Sequence, residues 1–260
     1  MPRGLATGSF TKYYKIMKEK SSVTHRKDLS LMMSIYNEED CLKEVSEELL
    51  DYLIKSGINF ELFLVNNGSW DRSQQIIEKL KKKYPKYVKI IRFEKNIKLG
   101  GAVNNVTKRY LKGKVIGFTC ADGEVSAADT VKLAKNILDN KNISLIKTVR
   151  LNRTDGARFY ISWVYNLLVK SLFGIKTEDV NGWPVLLRYE DFKKMYLRNY
   201  SWIFQLEYLY QIKKMNKKFY EIEVEHQRRR GGVTKVKLED IIIFSMQIIR
   251  YRILTFLHGK

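Results

Sequence analysis

The sequence has little proline, little cysteine and no long apolar run, and each scarcity excludes a class of protein. Three prolines in 260 residues, with 45% hydrophobic residues, are not the composition of a disordered chain. The two cysteines, Cys41 and Cys120, lie far apart without metal-type spacing, so we expect no disulfide and a reducing compartment. No segment reaches the about 18 to 20 uncharged apolar residues of a membrane span. The nearest, residues 241–260, is interrupted by one glutamine and two arginines.

The chain is strongly basic. Lys and Arg number 48 against 28 Asp and Glu, a net charge of +20. Such a charge implies an anionic partner, which is a nucleic acid, an acidic membrane surface or a phosphorylated substrate, and the alternative is a lysine-rich solvated surface, as in residues 79–89. The sequence has no helix-turn-helix, zinc or RNA-platform pattern, so specific nucleic-acid binding is not expected. Residues 1–28 are polar and basic, and they predict an N-terminal arm and no secretory signal.

Apolar strands alternate with amphipathic helices along the first part of the chain. The predicted strands cover 29–35, 60–66, 88–94, 114–120 and 143–149, and the helices between them cover 38–55, 71–83, 101–111 and 127–139. This alternation is typical of βαβ units and predicts a mostly parallel sheet flanked by helices. Beyond residue 150 we expect helices over 158–175 and 201–215, a strand over 219–226 and an amphipathic C-terminal helix over 241–260.

The predicted helix over 158–175 is apolar around most of its circumference. Tyr165 and Leu168 share one face, whereas Trp163 and Leu167 keep much of the other face apolar. A helix with this pattern is usually buried on two sides, and the alternative is a helix that faces lipid.

Polar segments follow four of the predicted strands. They are YNEED (36–40), NNGSWD (66–71), EKNIKLGGA (94–102) and CADGE (120–124). Because ligands bind at the carboxyl ends of parallel strands, we expect these segments to line one cleft, with glycine backbone amides available for phosphates. The two carboxylates of CADGE suit a divalent cation, and the alternative is a tight turn with solvated acids.

Six segments in this order resemble the inverting glycosyltransferase family 2, and most of all its dolichol-phosphate mannose synthase branch. They are SIYNEED, VNNGSWDRS, NIKLGGAVNN, CADGE, DVNGWP and RRRGGVTK, within a predicted catalytic domain over residues 29–240. The resemblance implies a GT-A fold, a GDP- or UDP-linked nucleotide-sugar donor and Mg²⁺ or Mn²⁺. It also implies transfer of the sugar to a polyprenyl or dolichyl phosphate at the membrane.

The resemblance assigns donor binding to the segments after the first three strands. The residues implied are Tyr36, Asn37, Glu38, Asn66, Asn67, Ser69, Asp71, Asn96, Gly100 and Gly101. Asn66 and Asn67 stand where the family usually has two aspartates. Since an amide donates as well as accepts a hydrogen bond, we expect a different base preference. Lys98 stands where the pattern often has glycine, and we expect it to meet phosphate charge.

The acidic positions of the family are partly retained. Asp122 matches the second aspartate of the metal motif and Glu124 takes a position that is often glutamine, so the resemblance implies that these two residues ligate the metal. Cys120 replaces the first aspartate; a thiol is a poor ligand for Mg²⁺, and we expect a small apolar role for it. Glu207 matches an acidic position in a family helix, with a surface glutamate that flanks the core as the alternative.

Asp122, Asp179 and Arg229 are the implied catalytic residues. Asp179 matches an acidic residue on the acceptor side and serves as the general base if the acceptor is a hydroxyl group, whereas the alternative is a turn or capping role. Arg229 matches a phosphate-binding segment together with Thr234 and Lys235, and the alternative is a mobile basic loop. A lipid-phosphate acceptor is already anionic and needs no base.

These features predict a cytoplasmic enzyme that is peripheral on the inner face of the membrane. The expected partners are a nucleotide sugar, a lipid-phosphate or glycan acceptor, an anionic membrane surface that contacts the helix over 241–260, and a membrane-anchoring subunit or a homodimer. Two other functions stay open. One is sugar transfer to a hydroxyl of a glycan or lipid-linked saccharide. The other is a catalytically degenerate sugar-nucleotide-binding scaffold, which the lost aspartates at 66, 67 and 120 suggest.

Overall fold

The fold is described from a computed structural model for residues 27–152, 157–198, 203–231 and 238–258, excluding the side chains of 157–161, 238–242 and 258. The predicted N-terminal arm lies outside these residues except for its last two positions. The predicted phosphate ligands Thr234 and Lys235 lie outside them as well.

Seven strands form one sheet within the described residues. They are β1 (Leu29–Ile35), β2 (Phe60–Asn67), β3 (Val88–Phe93), β4 (Val115–Cys120), β5 (Ile143–Leu151), β6 (Val185–Arg188) and β7 (Lys218–Glu225). Their order across the sheet is β3-β2-β1-β4-β6-β5-β7. Strand β6 runs antiparallel to both of its neighbours, and every other pairing is parallel. The predicted mostly parallel sheet is therefore confirmed.

Helices cover both faces of the sheet. They are α1 (Leu42–Lys55), α2 (Ser73–Lys83), α3 (Leu99–Arg109), α4 (Ala127–Asp139), α5 (Ala157–Phe173), α6 (Tyr189–Phe192), α7 (Phe204–Lys214) and α8 (Leu238–His258). The helix predicted from residue 38 begins four residues later, because Asn37 has a left-handed φ of 53° and the chain turns again between Glu38 and Cys41. The predicted start of the C-terminal helix at 241 falls inside α8.

Strand β6 is an element that the sequence pattern did not predict. It is four residues long and follows Pro184, so it has neither the length nor the alternation that marks a strand. It forms a strand because it pairs with β4 and β5. It fills the gap between β4 and β5, where Val185, Leu186 and Leu187 are buried.

Two apolar layers, one on each face of the sheet, form the core. Leu31, Met33 and Ile35 of β1 pack in the layer that contains α1, α2 and α4. Met32 points to the other layer, which contains α3, α5, α7 and α8. This alternation is the side-chain period of a strand that is buried on both faces. Because β1, β2, β4 and β5 point the same way, their carboxyl ends meet at one edge.

Helix α5 has one buried face and one exposed face. Tyr165, Val169 and Phe173 lie in the core, whereas Trp163 and Leu167 are exposed. Burial on two sides is therefore the wrong alternative for the described part of this helix. Of the helices in the described ranges, none combines the length and the hydropathy that crossing a bilayer requires.

Candidate active site

The loops after β1 and β2 hold each other in place. The Asn37 backbone N–H donates to Ser69 Oγ at 3.0 Å, and Asn37 Oδ1 accepts from the Trp70 backbone N–H at 3.0 Å. Asp71 Oδ2 accepts from the Glu39 backbone N–H at 3.1 Å. The predicted donor-binding residues Asn37, Ser69 and Asp71 thus shape the two loops that meet at this edge, and their contact with a donor stays a prediction. Tyr36 lies half-buried beside them at the end of β1.

Asn66 is buried and uses both ends of its amide. Its Oδ1 accepts from the Ser69 backbone N–H at 2.8 Å, and its Nδ2 donates to Gln74 Oε1 at 2.7 Å. An aspartate has no hydrogen to donate to Gln74. The local partners therefore give a physical reason for asparagine at this position.

Asn67 also uses both ends of its amide, and its partners lie in the loop after β3. Its Oδ1 accepts from the Ile97 backbone N–H at 3.1 Å, and its Nδ2 donates to Asn96 Oδ1 at 3.2 Å and to the Lys98 carbonyl oxygen at 3.3 Å. Lys98 has a left-handed φ of 63°, the region that glycine adopts most easily. Glycine, which the family pattern often has at this position, would adopt this backbone conformation without strain.

The glycines of the third segment lie in the first turn of α3. Gly100 is buried, and a Cβ at Gly101 would lie in ordinary contact with Ile97, 3.5 Å away. Backbone N–H groups in a first helical turn have no intrahelical acceptor. The turn therefore offers the chemistry that the predicted phosphate role of Gly100 and Gly101 requires.

Arg229 joins the exits of β1 and β4. Its Nη2 forms an ion pair with Glu38 Oε1, and its Nη1 lies 3.3 Å from Asp122 Oδ2. Its Nε donates to the Gly231 carbonyl oxygen at 2.7 Å. Three predicted site residues from distant parts of the chain therefore meet, with one guanidinium between two partly buried carboxylates.

Backbone hydrogen bonds hold the segment with Arg229 against the acidic turn after β4. The Gln227 backbone N–H donates to the Glu124 carbonyl oxygen at 2.9 Å, and the Arg230 backbone N–H donates to the Asp122 carbonyl oxygen at 3.0 Å. Gly123 lies between them with a φ of 73°, and a Cβ there would lie 2.9 Å from Arg230 Cγ. Glycine in the turn therefore allows the basic segment to approach.

A second guanidinium–carboxylate pair lies at the exit of β5. Arg150 Nε lies 2.8 Å from Asp179 Oδ2, and Arg150 Nη2 lies 3.2 Å from Asp179 Oδ1, which makes a bidentate pair. Arg150 Nη1 lies 3.8 Å from Glu124 Oε2. Sequence reasoning missed Arg150, although an arginine directly after the apolar strand run was a signal of the same kind as the four polar exits.

A buried lysine supports the backbone of Asp179. Lys147 is 1% exposed, and its Nζ donates to the carbonyl oxygens of Thr148, at 3.0 Å, and of Asp179. It also lies 3.2 Å from Glu221 Oε1, which accepts from the Thr177 hydroxyl as well. Burial lowers the pKa of the Lys147 ammonium, while the nearby Asp179 and Glu221 act to raise it. Asp179 is thus held through both its backbone and its carboxylate.

In the acidic turn after β4, the carboxylates of Asp122 and Glu124 are better ligands for a divalent cation than the Cys120 thiol is. Burial, with Asp122 and Glu124 close by, raises the pKa of the Cys120 thiol well above its usual value, so this thiol is protonated at neutral pH. Within the described ranges no group of three or more His, Cys, Asp or Glu side chains lies close enough to ligate a metal. The oxygen donors of Asp122 and Glu124 fit a hard cation that takes its other ligands from phosphates and water.

Glu207 lies in the interior, so the alternative of a surface glutamate is wrong. Its side chain is fully buried in α7, and Oε1 accepts from the Arg198 backbone N–H at 2.7 Å. It therefore supports the segment before α7.

The sheet order, with polar loops gathered at the carboxyl ends of β1, β2, β4 and β5, defines the GT-A fold expected from the sequence. Residues 30–232 match the family described as Glycosyl transferase family 2. The chain therefore belongs to glycosyl transferase family 2.

Relatives match between 44% and 86% of the chain. A dolichyl-phosphate beta-glucosyltransferase of Trichomonas vaginalis is 24% identical over 242 residues, which cover 86% of this chain and 73% of the relative. The human dolichyl-phosphate beta-glucosyltransferase is 32% identical over 119 residues, 44% of this chain and 36% of the relative. A dodecaprenyl-phosphate galacturonate synthase of Rhizobium johnstonii is 25% identical over 154 residues, 58% of this chain and 45% of the relative.

Solved structures share the fold at low identity. Glucosyl-3-phosphoglycerate synthase from Mycobacterium tuberculosis, in complex with Mn²⁺, UDP and phosphoglyceric acid, has a TM-score of 0.69 and 14% identity, over 88% of this chain and 78% of that chain. The mannosyltransferase PcManGT from Pyrobaculum calidifontis, in complex with GDP-Man and Mn²⁺, has a TM-score of 0.56 and 14% identity, over 90% of this chain and 65% of that chain.

Proposed function

We propose that the chain is an inverting glycosyltransferase that moves a sugar from a GDP- or UDP-linked donor to the phosphate of a polyprenyl or dolichyl lipid. The family and the names of the dolichyl- and dodecaprenyl-phosphate relatives support this assignment. We place the reaction on the cytoplasmic face of a membrane, as expected from the sequence.

The observation that carries the choice of acceptor is the bidentate pair between Arg150 and Asp179. Both carboxylate oxygens of Asp179 accept from this buried guanidinium. A hydroxyl acceptor needs a base that is available to take its proton, and a carboxylate in a bidentate pair is poorly placed for that role. A phosphate oxygen is already anionic and attacks the anomeric carbon without a base. The pair therefore favours a lipid phosphate over a sugar hydroxyl.

On the donor side, Asp122, Glu124 and Arg229 supply the charges that a diphosphate requires. Asp122 and Glu124 would hold a divalent cation, and such a cation, when bound, stabilises the charge that grows on the leaving nucleoside diphosphate. Arg229 forms charge-assisted hydrogen bonds to phosphate oxygens through its fork of N–H groups. Arg229 Nη1 lies 3.3 Å from Asp122 Oδ2, and the carboxylate has further lone pairs for a cation, so the guanidinium and the cation would act on the diphosphate from adjacent positions.

Transfer of radioactive sugar to a short-chain polyprenyl phosphate tests the assignment. Wild type is assayed with Mn²⁺ or Mg²⁺ and a panel of GDP- and UDP-linked sugars, with and without a chelator. We expect label in the lipid phosphate with one donor, and a loss of about 10² to 10³ in kcat for Asp122→Asn, as for other groups that stabilise transition-state charge. The matched control is Asp51→Asn on α1, an exposed aspartate that forms an ion pair with Lys55, which we expect to act like wild type.

Absence of labelled lipid phosphate with every donor would contradict the assignment. The degenerate-scaffold alternative predicts that nucleotides raise the melting temperature of the protein while no donor is turned over. The glycan alternative predicts label in a saccharide acceptor only.

A further inference from the structure

We propose that α5 and α8 together form a docking face that binds the surface of an anionic lipid bilayer. On α8, six large apolar side chains are exposed, with exposed fractions that reach 64% at Met246 and 76% at Phe256. The six are Ile243, Met246, Ile249, Ile253, Phe256 and Leu257. Their spacing of three, four and seven residues places them along one side of the helix.

Helix α5 adds four more exposed apolar side chains next to this side. They are Trp163, Val164, Leu167 and Leu168, with Trp163 58% exposed. The two helices pack on each other, since the rings of Tyr165 and Phe244 lie 4.4 Å apart and those of Phe173 and Tyr251 lie 5.7 Å apart. Single exposed apolar residues are normal on a soluble protein, but ten on two adjacent helices make an interaction surface.

The charges on the two helices identify the occupant. Residues 162–173 and 243–257, which bear the exposed apolar side chains, contain no acidic residue, and their charged residues are Lys170, Arg250 and Arg252. The two acidic residues of α8, Glu239 and Asp240, lie in its first turn, before this part of the helix. Basic residues beside an apolar helix face favour anionic lipid headgroups. A second copy of the chain would bring these same positive charges against one another, which opposes a homodimer through this face.

Asn166 connects the docking face to the candidate site. Asn166 is half-buried on α5; its Nδ2 donates to the Glu178 carbonyl oxygen at 2.6 Å, and its Oδ1 accepts from the Val180 backbone N–H at 3.1 Å. These two bonds flank Asp179. If the proposed function holds, a bilayer on α5 would therefore present a lipid phosphate on the Asp179 side of the cleft.

Vesicle sedimentation tests the docking face without donor, metal or acceptor. The full chain is mixed with vesicles of phosphatidylcholine alone or with added phosphatidylglycerol. We expect binding to the anionic vesicles, and about tenfold or more weaker partitioning for the double variant Met246→Glu, Ile253→Glu, because it places two carboxylates in the apolar face. The control is Ile54→Glu on α1, an exposed isoleucine far along the chain from either helix, which we expect to bind within about twofold of wild type.

Tryptophan fluorescence gives a second readout that does not depend on sedimentation. Brominated lipids should quench the emission of wild type, and the quenched fraction should fall in Trp163→Phe. Vesicle binding that is unchanged in the double variant would overturn the proposal, as would equal binding to neutral and anionic vesicles. The chain could instead form a dimer without lipid, or a complex with an anchoring subunit. If the double variant dissociates either assembly, the face binds a protein and the proposal is overturned as well.

The two proposals fail separately. If vesicles bind but no donor yields a labelled lipid phosphate, the proposed function is wrong and the docking face stands. If a water-soluble short-chain polyprenyl phosphate is labelled but vesicles do not bind, the docking face alone is wrong.

Discussion

Replacing the buried Lys147 by methionine is expected to be among the most destabilising single changes next to the candidate site. The ammonium donates to two backbone carbonyls and forms an ion pair with Glu221, while its side chain is 1% exposed. Methionine fills a similar volume but donates nothing. The change therefore leaves Glu221 and the Asp179 carbonyl without this partner.

The magnitude follows from the burial of the Lys147 ammonium and the partial burial of Glu221. Removing one partner of a buried ion pair costs about 3 to 5 kcal/mol, so we expect Lys147→Met to lower the free energy of unfolding by about 4 kcal/mol. With an m-value of about 3 kcal/mol/M for a chain of this size, the urea midpoint should fall by a little more than about 1 M. Lys55→Met is the control. It breaks a solvent-exposed pair with Asp51 and should cost less than about 1 kcal/mol.

A double-mutant cycle with Glu221→Gln isolates the pair. Urea unfolding is followed by circular dichroism and by fluorescence, whose transitions should coincide. Because Glu221 is an uncompensated charge once Lys147 is gone, the second change should cost about 1 to 2 kcal/mol less in the Lys147→Met background. If the losses in free energy of unfolding of the two single variants add up to that of the double variant within about 0.5 kcal/mol, the two charges do not stabilise the Asp179 segment as a pair.

Two further predictions concern the thiol of Cys41 and the backbone of Gly182. Burial raises the pKa of the Cys41 thiol to about 11 from its usual 9.0, so its stabilising contribution is present below pH 9 and is lost as the pH rises toward 11. Between pH 8 and pH 10.5, wild type should lose about 2 kcal/mol more of its free energy of unfolding than Cys41→Ala; equal losses would contradict the raised pKa. A Cβ at Gly182 would lie 2.0 Å from the Thr148 carbonyl oxygen, so we expect Gly182→Ala to cost about 3 kcal/mol or more. Gly57→Ala is the control, because a Cβ there meets nothing within 4 Å and costs only the strain of its left-handed backbone, about 1 to 2 kcal/mol. Equal urea midpoints for the two variants would contradict the predicted clash.

The sequence predicted the elements whose signal is local. Strands β1 to β5 and the helices between them follow from apolar periodicity, and the ends differ by a few residues where loop contacts override it. Strand β6 was missed because four residues after a proline contain too little pattern. Its place is decided by β4 and β5, which come from other parts of the chain.

The same distinction holds at the candidate site. The polar strand exits that contain Asn37, Asn67 and Asp122 were visible as segments, and the sheet edge brings them near one another. Arg150 and Lys147 were not singled out, because their roles depend on distant partners. Arg150 pairs with Asp179, 29 residues away, and Lys147 pairs with Glu221, 74 residues away. A lone basic residue in an apolar strand becomes informative only when the neighbouring elements are known.

A comparison of two acceptors, a lipid phosphate and a lipid alcohol, tests most directly the claim that the sugar is transferred to a phosphate. Wild type with Mn²⁺ and labelled donor is given equal amounts of a short-chain polyprenyl phosphate or of the matching polyprenol. The bidentate pair of Arg150 with Asp179 predicts label in the phosphate and none in the alcohol. Label in the alcohol, or in a saccharide hydroxyl and not in the phosphate, would contradict the account.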